Sequence, residues 1–493
     1  MTALPSPSRA SMRGFFGRDL VYVALWGSQV GLAVLLTPVT TRLLGPSHYG
    51  LAATCITIMQ LLVAVGGFSL GLAIQRAYAA SGDVDARKLL TLALAIAFAV
   101  FVVVDLTGPI WARAIGSGSY HGAVRYAVMW ATCTAGTSAV LAVLRSRDRL
   151  VPFALVNLTQ TVLAEAVSLA LILLVRRTAT EYILGEFIAQ AVTVVLALAL
   201  VRPAPVSVRD RGLMWSALRF ATPLVPVAVA EFVLATSDRL IVQADLGSAA
   251  VARYAVASNV GSIPILLLGM LATSWMPRVF ALSDTGALPK AIAHSRDGLY
   301  ALLIPAAIGL AVISPLVLRI WAPPSYRPDG LLFVVAIIIA TAFPFAAATS
   351  HSRVLMSAGR TRAAAGGAVG AAAVNLGLNF VLVPIWGIVG SAVATLVANI
   401  VMALLLAAAA RTVFAVPPPP ARLLVAIGLS IGVVFGAAFL PVTTPALVMR
   451  LLLGVISGSF LLALALGLAG RTGHAALRPM SAWLGDRVGL AMQ

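Results

Sequence analysis

Apolar stretches of about twenty residues recur along the whole chain and are separated by short polar segments. A helix needs roughly 20 apolar residues to cross the hydrocarbon core of a membrane. That length predicts fourteen membrane-spanning helices, which start near Leu20, Gly50, Leu89, Ala123, Leu150, Tyr182, Trp215, Val251, Leu299, Leu331, Ala363, Ile388, Leu423 and Leu447. The pattern therefore predicts an all-α polytopic membrane protein.

Basic residues are unevenly divided between the two sides of these predicted spans. The loops on one side carry 24 of the 34 basic residues, and the other side, including the span ends, carries the remaining 10. Because loops rich in arginine and lysine stay in the cytoplasm, both termini are predicted to be cytoplasmic. The N-terminal segment carries Arg9, Arg13 and Arg18 without a convincing cleavage site, so the first apolar run is interpreted as a helix, not a signal peptide.

Composition agrees with a membrane protein. Hydrophobic residues make up 61% of the chain and charged residues 10%, against about 25% charged residues in soluble domains. The net charge of +18 comes from clusters between the spans, which favours contact with anionic lipid over nucleic acid. Cys55 and Cys133 both lie in apolar spans, so no disulfide is indicated.

Several motifs that carry chemistry are missing from the sequence. It contains no nucleotide-binding Walker A motif, no His, Cys and carboxylate cluster with metal-ligand spacing, and no large loop with paired acids. We therefore expect no nucleotide-driven pumping, no resident cofactor or metal, and no enzymatic activity.

The two halves of the chain resemble each other weakly. Five pairs of residues match at an offset of 202 or 206: Gly45 with Gly247, Arg76 with Arg278, Lys88 with Lys290, Pro109 with Pro315, and Arg113 with Arg319. Lys88 and Lys290 are the only lysines in the protein. Such internal symmetry is typical of duplicated transporter halves with a substrate site between them.

A run of four prolines, Pro417 to Pro420, cannot continue a helix and marks a linker. The repeat and this linker predict four regions. These are an N-terminal lobe of six spans (1–211), a C-terminal lobe of six spans (212–415), an extra helix pair (416–470) and a cytoplasmic tail (471–493).

Three carboxylates inside predicted spans are candidate functional residues: Glu165, Glu231 and Asp238. Ionisable groups in a membrane are costly and face a partner or a water-filled space. Glu231 and Asp238 are seven residues apart and would share one helical face. We expect these carboxylates to couple to a proton or sodium gradient or to balance nearby arginines, although hydrogen bonding between helices is an alternative role.

Four arginines at span ends are candidate anion-binding residues. Arg42 and Arg239 lie near the outer ends of the equivalent first and seventh spans, and Arg76 and Arg278 lie at the cytoplasmic ends of the second and eighth. A guanidinium group stays charged and binds phosphate through two parallel hydrogen bonds. The alternative is that these side chains anchor the helices at the lipid headgroups.

Two segments carry a resemblance to a known family. The segment TRLLGPSHYGLAA (41–53), and the segment SDRLIVQADLGSAAVARYAVA (237–257) with its Asp-Arg pair and Leu-Gly turn, resemble bacterial polysaccharide flippases. These flippases belong to the multidrug/oligosaccharidyl-lipid/polysaccharide exporter superfamily. Gln243 departs from the pattern, since many relatives carry glycine there.

The resemblance implies two six-helix lobes around a partly cationic cavity in a bacterial inner-membrane protein. It implies that alternating access moves a polyprenyl-pyrophosphate-linked oligosaccharide from the cytoplasmic to the periplasmic leaflet for surface polysaccharide synthesis. The implied partners are this lipid-linked oligosaccharide, the lipid bilayer, and a polysaccharide polymerase and glycosyltransferases. The arginines would then bind the pyrophosphate.

Four alternatives remain open at this point. The chain could be a peptidoglycan-precursor flippase, a multidrug antiporter of the same superfamily, a membrane-embedded glycosyltransferase, or a scaffold of a polysaccharide assembly complex. The absence of large loops argues against the glycosyltransferase. The sequence does not determine which glycan is transported, which ion is coupled to transport, or the oligomeric state.

Overall fold

A computed structural model describes residues 9–67, 69–116, 120, 122–271 and 288–469. The described residues form α-helices, short 3-10 turns and one π-helical turn, without any β-strand among them. The all-α prediction is therefore confirmed. The cytoplasmic tail predicted for residues 471–493 and the candidate Arg278 lie outside the described residues.

The chain divides into two compact units, which separate within a helix near residue 232. The first unit contains Met1–Phe232 and Gly247–Ala249, and the second contains Val233–Leu246 and Ala250–Gln493. The lobe and linker boundaries drawn from the sequence stay predictions.

The helices up to the division point are listed here in chain order. They are α1 Arg9–Gly66, α2 Leu70–Ser81, α3 Asp83–Ala114, α4 Ala123–Ser146, α5 Leu150–Leu158, α6 Ala164–Leu174, α7 Ala179–Val201, α8 Arg211–Ala221 and α9 Val225–Thr236. A π-helical turn, Thr159–Leu163, joins α5 to α6. A 3-10 turn, Thr222–Leu224, joins α8 to α9.

The later helices continue the numbering. They are α10 Asp238–Leu246, α11 Ser248–Gly261, α12 Ile263–Leu271, α13 Leu288–Trp321, α14 Leu332–Ser357, α15 Thr361–Trp386, α16 Ile388–Arg411, α17 Ala421–Phe439 and α18 Thr444–Ala469. The axes of α11 and α12 differ in direction by 44°.

Within the described residues, eleven helices are long and apolar enough to cross a membrane, or twelve if the bent pair α11 and α12 is one span. Thirteen of the fourteen predicted starts fall in α-helices, of which the first two both fall in α1, and Leu331 is the last residue of the 3-10 turn before α14. The last falls in α18, of which Ala446–Leu462 is counted as a shorter apolar helix. The count of fourteen therefore stays a prediction.

Gly45 interrupts α1, which at 58 residues would be about 87 Å long if straight. Its backbone angles, φ 66° and ψ 174°, are not helical. The matching Gly247 between α10 and α11 also has a positive φ, of 79°. Only glycine adopts such angles readily, so this pair of the repeat marks the same helix break in each half.

The long helices α3 and α13 extend the repeat. Each contains an internal proline, Pro109 or Pro315, and each ends with the matching arginine, Arg113 or Arg319, in its last turn. The sequence match therefore corresponds to a match between structural elements.

Small residues allow the helices of each unit to approach closely. A Cβ atom added at Gly185 of α7 would lie 2.4 Å from the Cα of Ser168 in α6, and one added at Gly261 would lie 2.8 Å from the Cβ of Ile338. Lipid chains are as apolar as leucine, so helices in a membrane associate largely through such close packing.

The linker that follows α7 is fastened to the start of α3 in the first unit. Arg87 Nε donates to the carbonyl of Arg202 at 2.7 Å, and Thr91 Oγ1 donates to the carbonyl of Ala204 at 2.6 Å. Lys88 Nζ lies 2.7 Å from Asp210 Oδ1. The paired lysine Lys290 is exposed in the second unit, where Arg296 Nη1 instead donates to the carbonyl of Pro417 at 2.8 Å.

Candidate functional site

Asp238 is the centre of a buried polar cluster in the second unit. It begins α10 and is 6% exposed. Its carboxylate accepts a hydrogen bond from the hydroxyl of Tyr254 in α11, and Oδ1 accepts one from the backbone N–H of Arg239 at 2.9 Å. The side chains of Ser391 and Thr395 in α16 lie beside the same tyrosine hydroxyl.

Two asparagines of α15 extend this cluster. Asn375 Nδ2 donates to Thr395 Oγ1 at 3.4 Å, and Asn379 Nδ2 donates to the carbonyl of Asn375 at 2.9 Å. Helix α10 packs against both α15 and α16, which brings these amides towards Asp238.

The cluster retains a buried acceptor atom that no donor among the described residues satisfies. Asn379 Oδ1 is buried without a hydrogen-bond partner in the part of the chain that the structure describes. A buried polar atom without a partner is costly, and such atoms are often explained by a functional role or a bound ion. A carboxylate with amide and hydroxyl oxygens nearby suits a proton or a hard cation, since hard cations prefer oxygen ligands.

Arg239 follows Asp238 directly and points to a different partner. Its Nη2 donates to Asn259 Oδ1 at 3.2 Å, while its Nε is buried and has no acceptor among the described residues. Within the described part of the chain it forms no ion pair. Its guanidinium group therefore keeps donors available for an anionic ligand.

The candidate arginines of the first unit differ in their surroundings. Arg42 is exposed, and its Nη1 donates to the carbonyl of Pro38 at 2.8 Å, one helical turn earlier. The guanidinium of Arg76 lies over the ring of Phe220, 4.8 Å from the centroid. That cation–π contact gives Arg76 a role in joining α2 to α8.

Glu165 is brought close to a second acid that sequence reasoning did not place in the site. Glu165 lies in the first turn of α6, directly after the π-helical turn, and its Oε2 is buried without a donor among the described residues. Glu186 in α7 is 7% exposed and accepts a hydrogen bond from Ser168 Oγ at 3.4 Å. The two carboxylates interact electrostatically, and the contact of Gly185 with Ser168 allows this approach.

The distances of Glu165 and Glu186 from the turn between α6 and α7 could have indicated from the sequence that the two residues approach each other. The turn between α6 and α7 covers residues 175–178. Glu165 therefore lies ten residues before the turn and Glu186 eight residues after it. In an antiparallel helix pair those positions have similar depths, so the hairpin brings them together.

Glu231 and Asp238 do not share an environment, in contrast to the expectation from their spacing. Glu231 is exposed on α9, whereas Asp238 is buried at the start of α10. The helix is interrupted at Ser237, between the end of α9 and the start of α10. A break in the helix removes the regular 3.6-residue period on which the spacing argument depended.

No group of three or more His, Cys, Asp or Glu side chains in the described ranges is arranged to hold a metal ion. Any ion at the Asp238 cluster would therefore be held mainly by amide and hydroxyl oxygens beside one carboxylate.

Comparison with solved structures defines the fold as that of a class of membrane transporters. A lipid II flippase, MurJ, in an inward closed conformation has a TM-score of 0.69 at 15% identity, over 90% of this chain and 98% of that chain. An inward-facing multidrug resistance MATE family transporter of the MOP superfamily has a TM-score of 0.62 at 15% identity, over 77% of this chain and 94% of its own.

The Vibrio cholerae MATE transporter VcmN in its bent form has a TM-score of 0.54 at 16% identity, over 84% of this chain and 98% of its own. No curated protein matches the chain. The family of polysaccharide biosynthesis proteins matches residues 17–283, and the chain belongs to that family. It is a multi-pass membrane protein with the fold of the flippases and exporters of this superfamily, as the resemblance predicted.

Proposed function

We propose that this protein moves a polyprenyl-pyrophosphate-linked oligosaccharide from the cytoplasmic to the periplasmic leaflet of the bacterial inner membrane by alternating access. The match of residues 17–283 to the polysaccharide biosynthesis family carries the proposal. The fold shared with a lipid II flippase and with multidrug transporters supports a transporter rather than a glycosyltransferase.

Arg239 is the strongest candidate for contact with the pyrophosphate. A half-buried guanidinium that binds one amide oxygen among the described residues retains the donors needed for a charge-assisted contact with phosphate. Arg42 also lacks a carboxylate partner among the described residues. Arg76 is the weaker candidate because its charge is already held over Phe220.

The experiment is to measure the leaflet distribution of lipid-linked oligosaccharide in a deletion strain that expresses each variant. We expect the deletion and Arg239→Ala to leave the oligosaccharide in the cytoplasmic leaflet, with Arg239→Ala protein at the normal level. Arg176→Ala is the matched control, since Arg176 is an exposed arginine on the same predicted side, and it should restore transport. A normal distribution in the deletion strain would reject the flippase function.

A peptidoglycan-precursor flippase is the second candidate, because the match to the lipid II flippase covers 90% of this chain. The same deletion strain separates the two functions. Loss of a peptidoglycan-precursor flippase should stop growth, whereas loss of a surface-polysaccharide flippase should remove the polysaccharide from viable cells.

The cluster around Asp238 is proposed to couple transport to a proton or sodium gradient. In liposomes with an imposed gradient of either ion, Asp238→Asn should reduce movement of the lipid-linked oligosaccharide to the rate seen without a gradient. The substitution keeps an acceptor for Tyr254, so the fold should persist. Asp245→Asn, at the exposed end of the same helix, is the control and should retain the stimulation. Full stimulation of Asp238→Asn would exclude this site.

A further inference from the structure

One face of α8 in the first unit is not covered by the rest of the described chain. Arg211, Trp215 and Arg219 are four residues apart in succession and are all exposed, with Trp215 68% exposed. Residues at this spacing lie on one side of a helix. The face therefore presents an indole ring between two guanidinium groups.

The opposite side of α8 is packed firmly against the first unit. Ala217 and Ala221 are buried in its core, and Leu213 and Phe220 pack against the same core. Arg76 of α2 lies over the Phe220 ring. These contacts determine which side of α8 faces outwards.

The start of the same segment is held by a second set of contacts. Ser207 and Asp210 form a reciprocal capping box at the turn before α8, and Lys88 of α3 pairs with Asp210 at 2.7 Å. Helix α8 therefore cannot rotate about its axis without breaking both sets of contacts.

The length of the segment places this face at the edge of the membrane. The apolar segment Val208–Thr236 has 29 residues, whereas about 20 residues cross the hydrocarbon core. The first nine or so residues, which include Arg211 and Trp215, are left at the cytoplasmic interface, with Arg219 close enough to extend to it. Tryptophan is enriched at this level of a membrane because its ring is amphipathic.

The charge on this face is not neutralised by the protein. Neither Arg211 nor Arg219 forms an ion pair with any other residue that the structure describes. The cytoplasmic leaflet carries anionic phospholipids that attract basic residues near its surface. The two guanidinium groups suit a lipid phosphate at the interface, and the indole ring between them suits the start of the acyl chain below it.

We propose that Arg211, Trp215 and Arg219 form a binding surface for the headgroup of an anionic phospholipid of the cytoplasmic leaflet. These three residues are different from Arg239, the proposed substrate contact. Its occupant is a membrane lipid that is not transported, and it would hold the cytoplasmic end of α8 at the headgroup level.

The test uses quenching of Trp215 fluorescence by brominated lipids in liposomes that contain the full chain. The signal of Trp215 is the difference between the wild type and Trp215→Phe. At equal mole fraction, brominated phosphatidylglycerol should quench this signal at least twofold more than brominated phosphatidylcholine. The preference should disappear in Arg211→Gln/Arg219→Gln, and excess inorganic phosphate should not reverse it if the ligand is the lipid.

Two controls make the result specific. Trp386 at the end of α15 is 55% exposed and has no arginine four residues away on either side, so its difference signal should show no preference between the two lipids. The double variant Arg176→Gln/Arg177→Gln should leave the Trp215 preference unchanged. Equal quenching by both lipids, or no quenching of Trp215, would overturn the proposal, as would reversal by inorganic phosphate.

Discussion

At the scale of single residues, two buried tyrosines of the second unit differ in the acceptor that they contact. Tyr254 is buried and donates its hydroxyl hydrogen bond to the Asp238 carboxylate. Tyr300 is a buried tyrosine of the same unit that donates to a backbone carbonyl, that of Phe343, at 3.0 Å. Comparing variants of the two tyrosines therefore distinguishes a role in the Asp238 cluster from a role in folding alone.

Replacement of either tyrosine by phenylalanine leaves one buried acceptor without its donor. We expect each variant to lose about 1–3 kcal/mol of stability, measured by unfolding of the purified protein. Only Tyr254→Phe should also reduce ion-gradient-driven transport, because only Tyr254 contacts Asp238. Equal loss of transport in both variants would show that Tyr254 acts only through stability.

At the scale of residues, the sequence identifies unusual residue types but does not identify their neighbours. It selected Glu165 and Asp238 because carboxylates in apolar spans are unusual. It did not associate Glu165 with Glu186, since that pairing depends on where the α6–α7 hairpin turns. It selected Arg76 by its match to Arg278, but the ring that holds Arg76 belongs to Phe220, 144 residues later in the chain.

At the scale of elements, the linker after α7 is fastened by the first-unit lysine. Lys88 pairs with Asp210, whereas the repeat-related Lys290 is exposed and forms no ion pair within the described ranges. A substitution of Lys290 is therefore a matched control for the same substitution of Lys88.

Lys88→Ala should free the linker and increase the rate of tryptic cleavage after Arg209, because the start of α8 loses its contact with α3. Lys290→Ala should leave that rate unchanged. The measurement is the time course of the fragment that ends at Arg209, in proteoliposomes with the cytoplasmic side exposed. An unchanged rate in Lys88→Ala would mean that the Arg87 and Thr91 contacts hold the linker alone.

The last two helices, α17 and α18, pack against the rest of the second unit. The sequence predicts α17 and α18 as an extra pair beyond the repeat. In the structure both pack against α13 of the second unit, and a Cβ atom added at Gly454 would lie 2.9 Å from Val312. Arg450 of α18 is fully buried and donates to the carbonyl of Ala437 at 2.8 Å. This pair therefore packs directly against the rest of the second unit through α13.

At the scale of the whole molecule, the open question is how many times the chain crosses the membrane. Fourteen crossings with a cytoplasmic N-terminus require the linker 412–420 to be cytoplasmic and the turn 440–443 to be periplasmic. We expect a green fluorescent reporter to be active after Pro419 and after Gln493, and alkaline phosphatase to be active after Val442. Phosphatase activity after Gln493 would contradict an even number of spans.

The sequence by itself determined the class of fold, the repeat and the segments that form helices. In a membrane every backbone polar group must be satisfied within the segment, so an apolar run of sufficient length is a helix whatever surrounds it. The glycine pair Gly45 and Gly247 could be found for the same local reason, because a positive φ depends on the residue itself.

Only the tertiary structure decided which polar side chains meet. The hydrogen bond of Tyr254 to Asp238, the electrostatic interaction of Glu165 with Glu186 and the cover of one face of α8 depend on how separate helices pack and where helices break. Ser237 illustrates the difference, since one interrupted turn places Glu231 at the surface and Asp238 in the interior. Helix packing in lipid is decided by close steric fit, and that fit is not a property of any single segment.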